Sequence, residues 1–184
     1  MKKLYPTLII SLLFFLNGCS IGVKEFNKKD IIFTNGLWTE KFSDELITGK
    51  VYKFFGEKDN LKKVYIGNLL NGKEDGLWTK WYDNGQKSNE ETYKDGKLDG
   101  LWTIWYENGQ KKYQGTYKDG KEDGLHTIWF KNGQKNSEGT YKDGEKDGLS
   151  TGWYENGQKR KEWYYKDGDL VKVIGKWNED GSPR

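Results

Sequence analysis

The sequence predicts an all-β fold: an elongated single-layer antiparallel sheet of tandem 24-residue β-hairpins, preceded by an N-terminal signal helix. The first observation is a strict repeat, since Asp-Gly and Asn-Gly dipeptides each recur four times at a spacing of 24 residues. A repeat of this length builds stacked supersecondary units that pack against their neighbours. The second is composition, because 16% of the residues are aromatic and only 34% are hydrophobic in total. Flat rings rather than branched aliphatic side chains must therefore supply the packing. The Asp-Gly pairs stand at 75–76, 99–100, 123–124 and 147–148, and the Asn-Gly pairs at 84–85, 108–109, 132–133 and 156–157.

Residues 1–18 have the pattern of an export signal. Lys2 and Lys3 precede the apolar run 8–16, which is shorter than the roughly 20 residues of a membrane span. The following Leu16-Asn17-Gly18-Cys19 resembles the lipobox of bacterial lipoproteins. That resemblance implies cleavage before Cys19, acylation of this cysteine, and residence in the bacterial cell envelope as a membrane-anchored lipoprotein, in the outer membrane if the cell is Gram-negative. A buried, inert thiol is the alternative for this only cysteine.

The rest of the chain divides by its repeat. Residues 19–30 are polar and without periodicity, and we expect a tether there. Residues 31–184 form the predicted repeat domain, with degenerate units at 31–75, regular units at 76–171 and a C-terminal half unit at 172–184. Atypical end units are expected of repeat arrays.

One regular unit, residues 100–120, reads as a hairpin around Asn108-Gly109. We predict a two-residue type I′ turn there, because Asn-Gly accepts the positive φ that this turn requires. Counting back from that turn pairs Ile104 with Tyr113 and Trp102 with Gly115. We also predict that each Asp before a Gly caps a turn of its own.

The predicted pairing has a test within the sequence. One unit later His126 faces Gly139, and two units later Ser150 faces Trp163, so a large ring lost from one strand reappears on its partner. Such compensation is expected of cross-strand contact, with a ring lying over a glycine. Coincidence is the alternative, and the pair of Trp78 and Glu91 does not follow the rule.

Strand alternation divides the side chains between two faces. One face repeats strictly, and we interpret it as structural, with its tryptophans resting on one another from unit to unit. The other face varies, and we interpret it as the binding face, while mere tolerance on a solvated face is an equal alternative. The repeating columns are Leu77, Leu101, Leu125, Leu149 and Val173; Thr79, Thr103, Thr127 and Thr151; and Trp81, Trp105, Trp129, Trp153 and Trp177. The candidate binding residues are Trp78, Trp102, Ile104, Tyr106, Tyr113, His126, Ile128 and Trp163.

The sequence offers little catalytic chemistry. His126 is the only histidine and stands in a tryptophan column, so we expect no triad built on it. The chain lacks a phosphate-loop motif, and we expect no enzyme activity, no cofactor and no metal site. Without Lys2 and Lys3 the chain has 29 basic and 28 acidic side chains, a near balance that argues against nucleic acid as a partner.

The repeat motif is Asp-Gly-Leu-Trp-Thr-x-Trp-Tyr-x-Asn-Gly-Gln followed by Tyr-Lys-Asp-Gly-Lys. It resembles the bacterial variant of the MORN repeat over about residues 48–181. The resemblance implies an antiparallel hairpin ribbon. Proteins of this variant are often labelled as antitoxin components of toxin-antitoxin modules, and eukaryotic relatives are described as membrane-lipid or protein-binding scaffolds.

Three functions follow as hypotheses. The first is a lipid-anchored, non-enzymatic envelope protein whose ribbon binds a protein partner, because an export signal precedes a repeat surface. The second is an immunity or antitoxin protein that neutralises a cognate toxin, which only the resemblance implies. The third is a glycan or membrane-lipid binding module, suggested by the aromatic columns. A second copy of the chain is a further candidate partner, because a single layer has two faces to cover.

Overall fold

A computed structural model describes residues 24–43, 45–55 and 62–184. The predicted signal helix and Cys19 lie outside the described residues. The described chain is all-β apart from a single-turn 3-10 helix at Lys28–Asp30, which confirms the predicted fold class. The strands are β1 Glu25–Asn27, β2 Ile31–Thr34, β3 Leu37–Glu40, β4 Gly49–Phe55, β5 Lys62–Leu70, β6 Lys73–Trp81, β7 Lys87–Lys94, β8 Lys97–Trp105, β9 Lys111–Lys118, β10 Lys121–Trp129, β11 Lys135–Lys142, β12 Glu145–Trp153, β13 Lys159–Lys166 and β14 Asp169–Lys176.

Twelve of these strands form one long sheet in the order β1-β4-β5-β6-β7-β8-β9-β10-β11-β12-β13-β14. From β4 onwards every strand pairs antiparallel with the strand next to it in sequence, as tandem hairpins require. Strand β1 pairs parallel with β4, and β2 and β3 form a separate two-stranded sheet. The predicted tether of residues 19–30 therefore overlaps the fold from Glu25 onwards.

The predicted cross-strand register is confirmed. Ile104 faces Tyr113, Trp102 faces Gly115, and one unit later His126 faces Gly139. Ser150 faces Trp163 as the size compensation requires.

The turn chemistry differs from the prediction. Asn108-Gly109 does not form a two-residue type I′ turn, because only the glycine has positive φ, at 84°. Tyr106 N instead donates to Gln110 O at 2.8 Å, which closes the three-residue loop 107–109. Such a loop ends on a left-handed residue and is followed by a bulge. Trp105 then pairs with Lys111 rather than with Lys112, and this one-residue bulge restores the register predicted farther along the strands.

The true type I′ turns are the other connections. Asp95 and Gly96 have φ of 51° and 77°, and the same pair of positive angles recurs in each later unit. The Asp-Gly pairs of the opening motif lie inside strands instead: Gly100, in β8, has φ of 124° and stands at an irregularity of the ladder. The expectation that these aspartates cap turns of their own is wrong for Asp75, Asp99, Asp123 and Asp147. Asp99 Oδ2 accepts from the backbone N of Asp119 at 3.2 Å and so caps the turn of the next hairpin.

Rings do lie over strand glycines. A Cβ atom on Gly115 would stand 2.5 Å from His126 Nδ1, and one on Gly67 would stand 2.2 Å from the Trp78 ring. Trp78 pairs with Glu91 on β7 but covers the glycine of β5, its other neighbour. Trp78 and His126 each cover a glycine of the preceding strand, so the predicted placement of a ring over the glycine of the following strand, Trp102 over Gly115 and His126 over Gly139, is wrong although the pairing itself is right.

Hydrogen bonds tie each unit to the next. The side chains of the loop asparagines donate to a carbonyl 23 residues ahead, and so do the hydroxyls of Tyr82, Tyr106 and Tyr154. These bonds fix the hairpins side by side and satisfy carbonyls at the sheet margin. The asparagine donors are Asn84 to Glu107 O, Asn108 to Lys131 O, Asn132 to Glu155 O and Asn156 to Glu179 O, at 2.7 to 3.1 Å.

The buried apolar core lies at the N-terminal end of the sheet. Its aliphatic members come from β2, β4 and β5 and from the segment before β4, while Trp78 joins it from the first regular unit. In the later units the buried side chains include threonines and His126 instead. The buried apolar residues are Phe26, Ile31, Ile47, Val51, Ile66, Leu69 and Trp78.

The glycine under His126 provides a test of the ring-over-glycine packing. We predict that Gly115→Ala lowers the free energy of unfolding by about 1 to 3 kcal/mol, because the new methyl group collides with His126 and Tyr113. Gly139→Ala is the matched control: its methyl group would meet Ser150 and Tyr141 only at ordinary contact distances of 3.5 and 3.7 Å. Urea unfolding measures both, and equal losses would contradict the packing.

Candidate functional site

A stripe of aliphatic side chains runs across the regular units on the strictly repeating face. We define the leucine stripe as Leu77, Leu101, Leu125 and Leu149. The sequence predicts Val173 in the same column, but a register shift in β14 pairs it with Trp163 and so places it on the other face. Each member lies within a strand, and each is 43 to 53% exposed. The sheet places one member per two strands, so neighbours are roughly 10 Å apart along the ribbon.

The threonines on the same face are the buried part of the repeat. Thr103, Thr127 and Thr151 are only 3 to 6% exposed. Thr127 Oγ1 donates to Glu138 Oε2 at 3.2 Å, and Thr151 Oγ1 donates to Glu162 Oε1 at 3.3 Å.

Ion pairs extend this network at the surface. Glu138 and Glu162 each bind a lysine three residues earlier, Lys135 and Lys159. In three of the four regular hairpins a lysine and a glutamate beside the leucine stripe thus neutralise each other, and in the second hairpin Lys111 donates to Gln114 instead.

The tryptophan column does not stack ring on ring among the described residues, contrary to the expectation. Units two strands apart hold equivalent rings roughly 10 Å from one another, which is too far for direct contact. Lysines fill the interval: Lys111 Nζ lies 5.7 Å from the ring centroid of Trp129, and Lys135 Nζ lies 5.6 Å from that of Trp153. The column is therefore joined by cation–π contacts.

The opposite face carries a cluster of rings in the middle of the array. We define the aromatic cluster as Trp102, Tyr113, Tyr117, His126 and Tyr141, whose neighbouring ring centroids are 4.7 to 5.8 Å apart. His126 is 5% exposed, and both ring nitrogens have partners, Thr116 O at 2.8 Å and Tyr113 Oη at 2.7 Å. Since Nε2 must donate to the carbonyl, Nδ1 of the neutral ring accepts the Tyr113 proton. Burial raises the pKa of Tyr113, with a further contribution from Tyr117.

The structure separates the predicted binding residues into two groups. Three serve the fold: Trp78 is 7% exposed and donates to Asn68 O, Tyr106 donates to Trp129 O, and His126 is bonded at both nitrogens. The others are Trp102, Ile104, Tyr113, Ile128 and Trp163, which are at least partly exposed on the aromatic-cluster face. Cys19 lies outside the described residues.

The described part of the chain contains no group of three or more His, Cys, Asp or Glu side chains placed to hold a metal ion. Within the same residues no helix is long and apolar enough to cross a membrane.

Comparison with protein families matches the MORN repeat variant at residues 74–95, 98–119, 122–143 and 146–167. The chain carries four MORN repeat variants. Each matched segment covers one strand pair, from β6 and β7 to β12 and β13, together with the hairpin loop between the two strands. MORN repeats are generally modules for interaction with proteins or membrane lipids. A comparison with curated proteins gave no match.

The exposed leucine stripe of the MORN array was not among the predicted binding residues. Strict repetition suggested a structural column, and the threonines of that face are indeed buried. The signal that distinguishes the leucines is their position directly after the Asp-Gly pair, whose glycine has positive φ within the strand. A residue beside a backbone irregularity that recurs in each unit can be identical in every unit and still be exposed to solvent.

A pocket of about 540 Å³ lies where the N-terminal segment meets the first MORN unit. Lys28 Nζ lies 3.0 Å from the ring centroid of Trp38, whose indole N–H donates to Glu74 Oε1 at 2.7 Å. Deeper in the pocket Glu91, 6% exposed, accepts from Lys80 Nζ and from Tyr93 Oη. Burial, and then the nearby Glu91 carboxylate, raises the pKa of Tyr93.

Lys28 makes the stability of this end dependent on pH. Burial lowers its pKa from 10.5 to about 8. Between pH 8 and 10.5 the unfolded chain therefore binds more protons at Lys28 than the folded chain, so stability rises with pH in that window. We predict that Lys28→Gln abolishes this part of the rise.

The measurement is the free energy of unfolding from urea titrations at pH 7.5, 9 and 10.5. Lys29→Gln is the matched control on the adjacent, exposed position, and it should retain the wild-type slope. An identical slope in the Lys28→Gln and Lys29→Gln variants would contradict the assignment.

Proposed function

We propose that this protein is a non-enzymatic, lipid-anchored component of the bacterial cell envelope that binds a protein partner along its MORN ribbon. The observation that carries the proposal is the leucine stripe, a line of half-exposed aliphatic side chains at every unit. Exposed apolar side chains that line up across one face of a protein are typical of interaction sites.

The charges beside the stripe favour a protein over a polyanion. Three Lys and Glu pairs of that face neutralise each other, at Lys87–Glu90, Lys135–Glu138 and Lys159–Glu162, and Lys111 of the remaining hairpin donates to Gln114. A surface that binds phosphate backbones or anionic headgroups needs an excess of unpaired cations. A protein surface with its own apolar ridge complements an aliphatic line between neutralised charges.

The regular spacing supports an extended contact. Four stripe members at roughly 10 Å intervals offer a line of roughly 30 Å. Each half-exposed leucine that becomes buried contributes on the order of 1 kcal/mol. Several weak anchors of this size together produce a stable complex, and the hydrogen-bonded ribbon holds them in place beforehand.

The partner should be lost when the stripe is made polar. We predict that the triple variant Leu101→Ser, Leu125→Ser, Leu149→Ser weakens binding by roughly 3 kcal/mol, which is more than a hundredfold. The measurement is recovery of a cross-linked partner from solubilised envelopes, followed by titration of the purified pair.

The matched control is the triple variant Lys97→Ser, Lys121→Ser, Glu145→Ser, which changes exposed residues at the start of the same three strands. Unfolding experiments establish that both variants fold. Undiminished partner recovery by the leucine variant, or equal loss in the control, would overturn the assignment of the binding surface.

The anchor has a separate test. We predict that Cys19→Ala abolishes incorporation of labelled palmitate and releases the protein from the membrane fraction, because the acyl chains supply the membrane affinity. The purified Cys19→Ala chain should bind the partner with unchanged affinity. Continued membrane association of the unlabelled variant would show that the anchor lies elsewhere, and it would leave the partner test unaffected.

A further inference from the structure

The aromatic-cluster face contains an open recess of about 310 Å³ between β10 and β13. We define the open recess by its floor, which is made of Gly139 and Ser150. In the repeat register Ser150 stands where earlier units have a tryptophan or His126, and Gly152 stands where they have a lysine or an isoleucine. The side chains of Lys161 and Arg160 cover Gly152, so the recess is the space left by the ring that the fourth unit lacks at position 150.

Gly139 is the glycine that a ring at position 150 would cover, and its surroundings show that no ring is there. A Cβ atom on Gly115 would stand 2.5 Å from the His126 ring, and one on Gly67 would stand 2.2 Å from the Trp78 ring. On Gly139 the nearest atom would be Ser150 Oγ at 3.5 Å. The backbone that a ring covers in other units is thus uncovered here.

One wall of the recess already suits a flat ring. Tyr141 lines it, with Cε2 3.7 Å from the Cβ position of Gly139, and the ring centroid of His126 is 4.7 Å from that of Tyr141. The hydroxyls of Ser137 and Ser150 also line the space. A ring entering the recess would contact aromatic and backbone surfaces like those that hold the rings of the aromatic cluster.

The other end of the recess is cationic. A Cβ atom on Gly152 would stand 3.2 Å from Lys161 Cγ and 3.6 Å from Arg160 Nη2, so these two side chains cover that glycine. Lys146 lines the same space. Among the described residues no ion pair includes any of these three cations. Burial lowers the pKa of Lys161, and the charges of Arg160 and Lys146 lower it further.

Two glutamates line the recess, but only Glu122 has its carboxylate on the aromatic-cluster face, where Oε1 lies 3.6 Å from His126 Nδ1. The Glu138 carboxylate binds Lys135 and Thr127 on the leucine-stripe face. A bound acid therefore has one favourable orientation, towards Arg160 and away from Glu122.

We propose that the open recess binds a small aromatic acid, with the flat ring over Gly139 and against Tyr141, and the carboxylate on Arg160 and Lys161. The volume lies at the lower end of the range for small-molecule sites. A cavity left by a missing side chain readily takes a ring of matching shape. The guanidinium and ammonium groups provide charge-assisted hydrogen bonds for the carboxylate. This site is independent of the protein partner proposed for the leucine stripe, which lies on the opposite face.

The probe is indole-3-acetate, which combines the missing indole with a carboxylate, and calorimetry on the full chain in detergent measures its binding. Indole alone and acetate alone are the fragment controls. We expect indole-3-acetate to bind at least about tenfold more tightly than either fragment, as a charge-assisted bond allows. Equal binding of indole and indole-3-acetate, or no binding of the acid, would overturn the proposal.

Two variants locate the site. Arg160→Gln should weaken indole-3-acetate about tenfold and leave indole unchanged. Lys112→Gln changes the equivalent position two units earlier, outside the recess, and should alter neither ligand. Ser150→Trp should abolish both by filling the space, with circular dichroism as the check on folding. If Ser150→Trp does not fold, the test is the variant at the exposed Arg160. Wild-type affinity of Arg160→Gln for indole-3-acetate would contradict the proposal.

Discussion

The long sheet has a single layer, and every other feature of the ribbon depends on that constraint. Among the described residues no helix or second sheet covers the units that follow Trp78, so each side chain of those units must find its contacts on the two strands beside it. Rings solve this by lying across a neighbouring strand, which requires a glycine beneath them, as under Trp78 and His126. The threonine, glutamate and lysine network solves it on the other face with hydrogen bonds and ion pairs instead.

The same constraint gives the hairpin loops a structural role. Adjacent hairpins are joined by the backbone ladders between their neighbouring strands, and the loop asparagines and the tyrosine hydroxyls add a second link at the sheet margin by donating to carbonyls one unit ahead. Phe130, in the tyrosine position, lacks the hydroxyl, while Asn132 in the same loop keeps its bond to Glu155 O. Because most loops make both bonds, a unit that lacks the tyrosine hydroxyl is still hydrogen-bonded to the next unit through its asparagine.

Function follows from what the layer leaves uncovered. On one face the leucine stripe stays half exposed at every unit, which suits an extended partner. On the other face the rings are used internally, until the fourth unit replaces its large side chains with Ser150 and Gly152. A repeated feature thus supports a long contact, and a local departure from the repeat creates a single small site.

The sequence by itself determined the repeat length, the all-β class and the pairing of Ile104 with Tyr113, because cross-strand partners leave a size pattern that periodicity reveals. It could not decide the turns: Asn108-Gly109 suits both a two-residue and a three-residue loop, and only the bulge beside Trp105 distinguishes them. It also could not decide exposure. Leu125 and Thr127 repeat equally well and point to the same face, yet one is 53% exposed and the other 5%. That difference depends on which long side chains of neighbouring strands lie across each position. Such coverage is a property of the assembled sheet and not of any single unit.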